Sequence, residues 1–149
     1  MIQRIQSLYL LVVAVMMATM FFTEVAFLTQ GGESLRLGRD GIPLMSGEGE
    51  MTTSLLRIYA LVELALVVLD VFLFRRRRLQ MRLTVFCLLL SVGYYVLAGI
   101  YLYAGVGLGY EIEWSLPITF PMVSVILLWL AFRAILKDEL LVKSIDRVR

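Results

Sequence analysis

The sequence predicts an all-α membrane protein: four transmembrane helices in an antiparallel bundle, followed by a C-terminal amphipathic cytoplasmic helix. Three observations lead there. Of the 149 residues, 60% are apolar, and they gather into long runs instead of scattering as a water-soluble core would require. Four of these runs come close to the roughly 20 residues a helix needs to cross a hydrocarbon layer about 30 Å thick. The arginines and lysines are strongly segregated between the connections. The four runs occupy most of the chain, so residues 1–149 read as a single transmembrane domain.

The first span covers residues 5–27 and is uninterrupted from Leu8 to Phe22, behind Arg4. A cleaved signal peptide is the competing reading, but no small-x-small site follows the run and three more runs do. Residues 28–54 carry six glycines, Pro43, acids and arginines. They look too polar to build a core and read as an exposed loop. Thr53 or Ser54 is placed to cap the second span, 55–74, which ends at Arg75, Arg76, Arg77 and Arg78. The third span, 83–106, follows Arg82. Gly105, Gly107 and Gly109 then loosen the chain into a short flexible connection holding Tyr110, Glu111, Glu113 and Trp114, whose aromatic rings suit an interfacial belt. Pro117 and Pro121 are tolerated in the first turn of the fourth span, 117–135, where N–H groups lack intrahelical partners. In the tail, 136–149, Leu136, Leu140, Leu141, Ile145 and Val148 recur at helical spacing, and Glu139 and Lys143 form an i,i+4 pair.

Arginine and lysine in the flanks stay in the cytoplasm during insertion and so set orientation. Eleven lie on one side: Arg4, the five arginines between spans two and three, and Arg133, Lys137, Lys143, Arg147 and Arg149. Three lie on the other: Arg36, Arg39 and Arg57. Both termini are therefore expected in the cytoplasm. The run Arg75–Arg78 reads first as this topology signal and second as an attraction for anionic lipid, about 1 kcal/mol per residue.

Chemistry is sparse. There is no histidine and a single cysteine, Cys87, which removes the commonest general base and metal ligand and any internal disulfide. No catalytic residue, metal site or cofactor is expected, and a net charge of +2 gives no reason to expect nucleic acid. Met16, Met17, Met20 and Cys87 read as packing residues. The exceptions are two carboxyls inside span two. Glu63 lies twelve residues before Arg75, about 18 Å in and near mid-membrane, and Asp70 about 7.5 Å in. Seven residues apart, they share a helix face. A carboxylate at that depth costs roughly 3 kcal/mol, so it should face the interior and find donors or keep its proton. Counting depth from Arg82 and Lys137 brings Tyr94, Tyr95 and Ser124 to a similar level, and one of these hydroxyls is expected to bond Glu63. The same reckoning pairs Asp70 with Arg133 at the inner interface and Glu24 with Arg57 at the outer one.

The opening Met1-Ile2-Gln3-Arg4-Ile5-Gln6-Ser7-Leu8-Tyr9-Leu10 and the closing Leu130-Ala131-Phe132-Arg133-Ala134-Ile135-Leu136-Lys137-Asp138-Glu139 resemble the two ends of one family. It is a group of small four-span proteins of Bacteroidota catalogued as domain of unknown function 4293. The resemblance implies a bacterial inner membrane and brings no activity, substrate or cofactor. Both segments fall at the cytoplasmic edge, where Gln3, Arg4 and Gln6 could meet Lys137, Asp138 and Glu139 in one polar cluster, since first and last helices of a four-helix ring are neighbours. Two functions fit. The leading one is a non-enzymatic accessory or scaffold component that binds lipid, a membrane-protein partner or its own copies through the cytoplasmic face. The other is a small proton- or cation-coupled transporter using Glu63 and Asp70. An enzyme would have to work with hydroxyls and carboxylates alone.

Overall fold

The computed structural model describes residues 2–43 and 50–147, with side chains for 5–42, 50–74 and 76–141. Four helices, α1 (Ile2–Phe22), α2 (Leu55–Phe72), α3 (Arg77–Gly107) and α4 (Phe120–Arg147), make up most of it. Five short strands gather at one end, the sheet end: β1 (Ala26–Gln30), β2 (Glu33–Arg36), β3 (Gly41–Pro43), β4 (Glu50–Thr52) and β5 (Glu111–Trp114). At the other, the arginine end, a 3-10 turn over Leu73–Arg75 links α2 to α3. Among the described residues, three segments are long and apolar enough to cross a membrane: Ile5–Phe22, Arg77–Gly107 and Leu116–Leu141. Helix α2 is 18 residues long and carries Arg57, Glu63 and Asp70.

The helices close a ring, with α1 against α2 and α4, and α3 against the same two. Their buried residues follow one rule. On α1 they are Gln6, Leu10, Val13, Met17 and Met20, and on α2 Leu56, Ala60, Glu63, Val67 and Asp70. The same alternation of four- and three-residue steps runs from Gln80 to Gly105 on α3 and from Pro117, in the 3-10 turn Leu116–Thr119, to Ile135 on α4. A step averaging 3.5 residues is the seam of side chains packed knobs into holes. What it buries is unusual for a water-soluble bundle, because Gln6, Glu63, Asp70, Gln80, Thr84, Ser91 and Ser124 face inward. Leu8, Leu11, Val15, Phe86, Leu89, Val96 and Ile126 face outward. An apolar exterior around a core that also buries polar groups is the arrangement favoured where the surrounding medium is itself apolar.

The connection expected as an exposed loop is instead β-structured. Strand β1 is central, paired antiparallel with β2 on one side and β5 on the other, and β3 pairs with β4. The turn from β1 to β2 is Gly31-Gly32, both at positive φ, as a two-residue hairpin turn requires. Its apolar residues are few but well placed: Ala26, Leu28, Leu37 and Ile42 are buried and cover the end of the helical core.

Other expectations are corrected in the same region. Thr53 does not cap α2, and Ser54 occupies the cap position without a side-chain bond. The Thr53 hydroxyl instead accepts from the Gly38 N–H at 3.0 Å and donates to the Asp40 carbonyl. The exit from α3 is an ordered cap. Tyr110 N–H donates to the Gly105 carbonyl and Gly109 N–H to that of Val106, with Gly109 at φ +87°, the Schellman arrangement. Gly105 lets β1 sit on the helix, since a Cβ there would stand 2.8 Å from Leu28 Cδ1. At the arginine end, by contrast, residues 136–147 continue α4 without a break, as the helical spacing of the tail predicts.

Candidate functional site

The two carboxyls on α2 reach hydroxyls on α3. Ser91 Oγ donates to Glu63 Oε1, and Thr84 Oγ1 donates to Asp70 Oδ2 at 2.6 Å. Seven residues forward on α2 correspond to seven backward on α3, so the pair of helices runs in opposite directions with these two bonds as rungs. Both carboxyls are 0% exposed, as are Thr84 and Ser91. Gln80 Nε2 donates to the Asp70 carbonyl at 3.3 Å, and Tyr59 Oη donates to the Leu90 carbonyl at 3.0 Å, so four side-chain bonds cross the same seam. One oxygen of each acid, Glu63 Oε2 and Asp70 Oδ1, makes no hydrogen bond within the described protein, nor do Ser124 Oγ and Gln6 Nε2.

Glu63, Asp70, Tyr94 and Ser124 are all buried, but the hydroxyl that meets Glu63 is that of Ser91, not one of the three expected. Tyr95 Oη donates to the Ile118 carbonyl at 2.7 Å and accepts from Met122 N–H at 3.0 Å, so it holds the start of α4. Tyr94 packs edge-on between the rings of Tyr59 and Tyr95. Helix α3 begins at Arg77, not after Arg82, and this brings Ser91 level with Glu63. A readable signal existed, because Thr84 and Ser91 repeat the seven-residue spacing of Asp70 and Glu63.

The Asp70–Arg133 pair is not formed. Arg133 is on the exposed face of α4, its guanidinium 4.9 Å from the Trp129 ring centroid, whereas Asp70 faces the axis. At the sheet end, Arg57 donates from Nη2 to the Phe21 carbonyl at 2.8 Å and lies over the Phe21 ring. A carbonyl in the last turn of α1 lacks an intrahelical partner, and Arg57 supplies one. Glu24 pairs with Arg39 instead, at 3.5 Å.

The arginine end is also rearranged. Arg77 pairs with Asp138 at 3.1 Å and also donates to its carbonyl at 3.4 Å, and Arg78 pairs with Glu139 at 3.8 Å. Among the described residues, the tail acids therefore meet the arginine run. Gln6 is buried and Lys137 exposed; the side chains of Gln3, Arg4 and Arg75 lie outside the described residues. Arg76 is exposed.

These features define a class: a small helical protein, three of whose helices are apolar enough to cross a membrane, with a buried acid–hydroxyl ladder between two helices and a sheet across one end. No curated protein and no solved structure matches the chain. The chain does belong to a known family, described as Domain of unknown function (DUF4293), which it matches over residues 2–148.

Proposed function

We propose that the protein is a non-enzymatic scaffold or accessory component of a bacterial inner membrane, crossing it four times as an antiparallel bundle with both termini in the cytoplasm. The bacterial, Bacteroidota assignment rests on the resemblance of the two chain ends. Helix α2 serves as the fourth span, since 18 residues reach about 27 Å and its acids are turned inward. The sheet then stands on the periplasmic side and the arginine end in the cytoplasm, with 136–147 projecting from the membrane for a partner. The observation that carries the scaffold reading is the complete burial of Glu63 and Asp70 against Ser91 and Thr84. Sealed acids tied in register fix which helices are neighbours.

A second reading, a proton- or cation-coupled transporter using Glu63 and Asp70, is favoured by the oxygen of each acid that lacks a hydrogen bond. Proton and potassium flux into liposomes holding the purified protein separates the two. Flux at the level of empty liposomes, unchanged by Glu63→Gln, supports the scaffold. Flux abolished by Glu63→Gln would sink it in favour of transport.

A further inference from the structure

At the arginine end a groove of about 510 Å³ opens on the outer face of the bundle, lined by Arg78, Met81, Arg82, Val85 and Phe132. Its composition changes along its length. Arg78 and Arg82 are i,i+4 neighbours on one face of α3. Val85 lies seven residues past Arg78, about 10 Å further along the helix. Met81, Val85 and, from α4, Phe132 form the apolar part. Arg78 is held by Glu139 and its neighbour Arg77 by Asp138. Arg82 has no acid partner among the described residues and is exposed. The groove thus keeps an uncompensated cation at its rim and an apolar wall beyond it.

We propose that this groove holds an anionic phospholipid, its phosphate against Arg82 and Arg78 and the upper part of an acyl chain along Met81, Val85 and Phe132. A free anion would use the rim and leave the wall bare; an apolar peptide would use the wall and not the cations. Guanidinium groups suit the phosphate because they offer several donors in one plane. The proposal rests on the four-span reading only in placing the groove at the cytoplasmic edge.

The test uses the full chain in zwitterionic detergent and follows thermal unfolding as lipid is added, so it does not depend on topology. Phosphatidylglycerol is expected to raise the melting temperature, and phosphatidylcholine or inorganic phosphate at equal concentration to leave it unchanged. Arg82→Gln should weaken the apparent phosphatidylglycerol affinity about fivefold, equivalent to about 1 kcal/mol. Val85→Trp, which fills the apolar half and leaves both arginines, should weaken it at least as much. Arg76→Gln, outside the groove, should change it less than twofold. Equal losses for Arg76→Gln and Arg82→Gln would mean diffuse attraction and overturn the site. So would full affinity in Val85→Trp, or an inorganic phosphate effect matching that of the lipid.

Discussion

The Ser91 hydroxyl is a single polar group whose worth can be measured. Interhelical hydrogen bonds in membrane proteins average about 0.6 kcal/mol and reach about 1.7. Ser91→Ala should therefore lower the unfolding free energy in detergent by about 0.6–1.7 kcal/mol, and a cycle with Glu63→Ala should return most of that as coupling. Arg133→Leu, by contrast, should shift stability by less than about 0.5 kcal/mol and show no coupling to Asp70→Asn, as expected of an exposed residue that touches Trp129. A measured coupling between Asp70 and Arg133 would mean that α4 is rotated from the position described. Depth was legible in the sequence because it is a count along one axis. The facing of each residue was not, since it depends on the seam, and the seam emerges only when the inward residues of all four helices are aligned. For Ser91 the start of α3 at Arg77, five residues before Arg82, decides that it stands level with Glu63.

The junctions between helices and strands test packing at the next scale. Gly105→Val would press a branched side chain into Leu28, which is fully buried. A loss of about 1–3 kcal/mol is expected, largely recovered by adding Leu28→Ala. Gly109→Ala should cost about 1 kcal/mol through its left-handed backbone, with no recovery from Leu28→Ala. The contrast between the two, read by denaturant titration in one detergent, separates close approach from backbone conformation. The four helices were legible from apolar run length, with ends displaced by a few residues. The sheet is harder to read, although Gly31-Gly32 between Ala26–Gln30 and Glu33–Arg36 is a hairpin signal. Its strands are only three to five residues long, and Leu28, buried on the side that anchors them, gains its meaning from Gly105 of α3, far away in sequence.

For the whole molecule, orientation is the first matter to settle. In a Cys87→Ala background, a membrane-impermeant maleimide applied to spheroplasts should label Glu33→Cys at the sheet end. Lys137→Cys at the arginine end should react only after the cells are broken. The reverse pattern would invert the molecule and remove the cytoplasmic placement of the lipid groove, while leaving its affinity for phosphatidylglycerol untouched.

The pairing of Arg77 with Asp138 spans 61 residues of chain, and this gives it a place in time. Ribosomes add about 5–20 residues per second, so for about 3–12 s after the arginine run has been made its acids do not yet exist. During that interval the run carries its entire charge, which is when charge decides which side of the membrane a loop remains on. Once α4 is complete, Asp138 and Glu139 close on the same arginines. On the topology proposed above, the run then changes occupation, from an address read once during synthesis to a tie between α3 and α4.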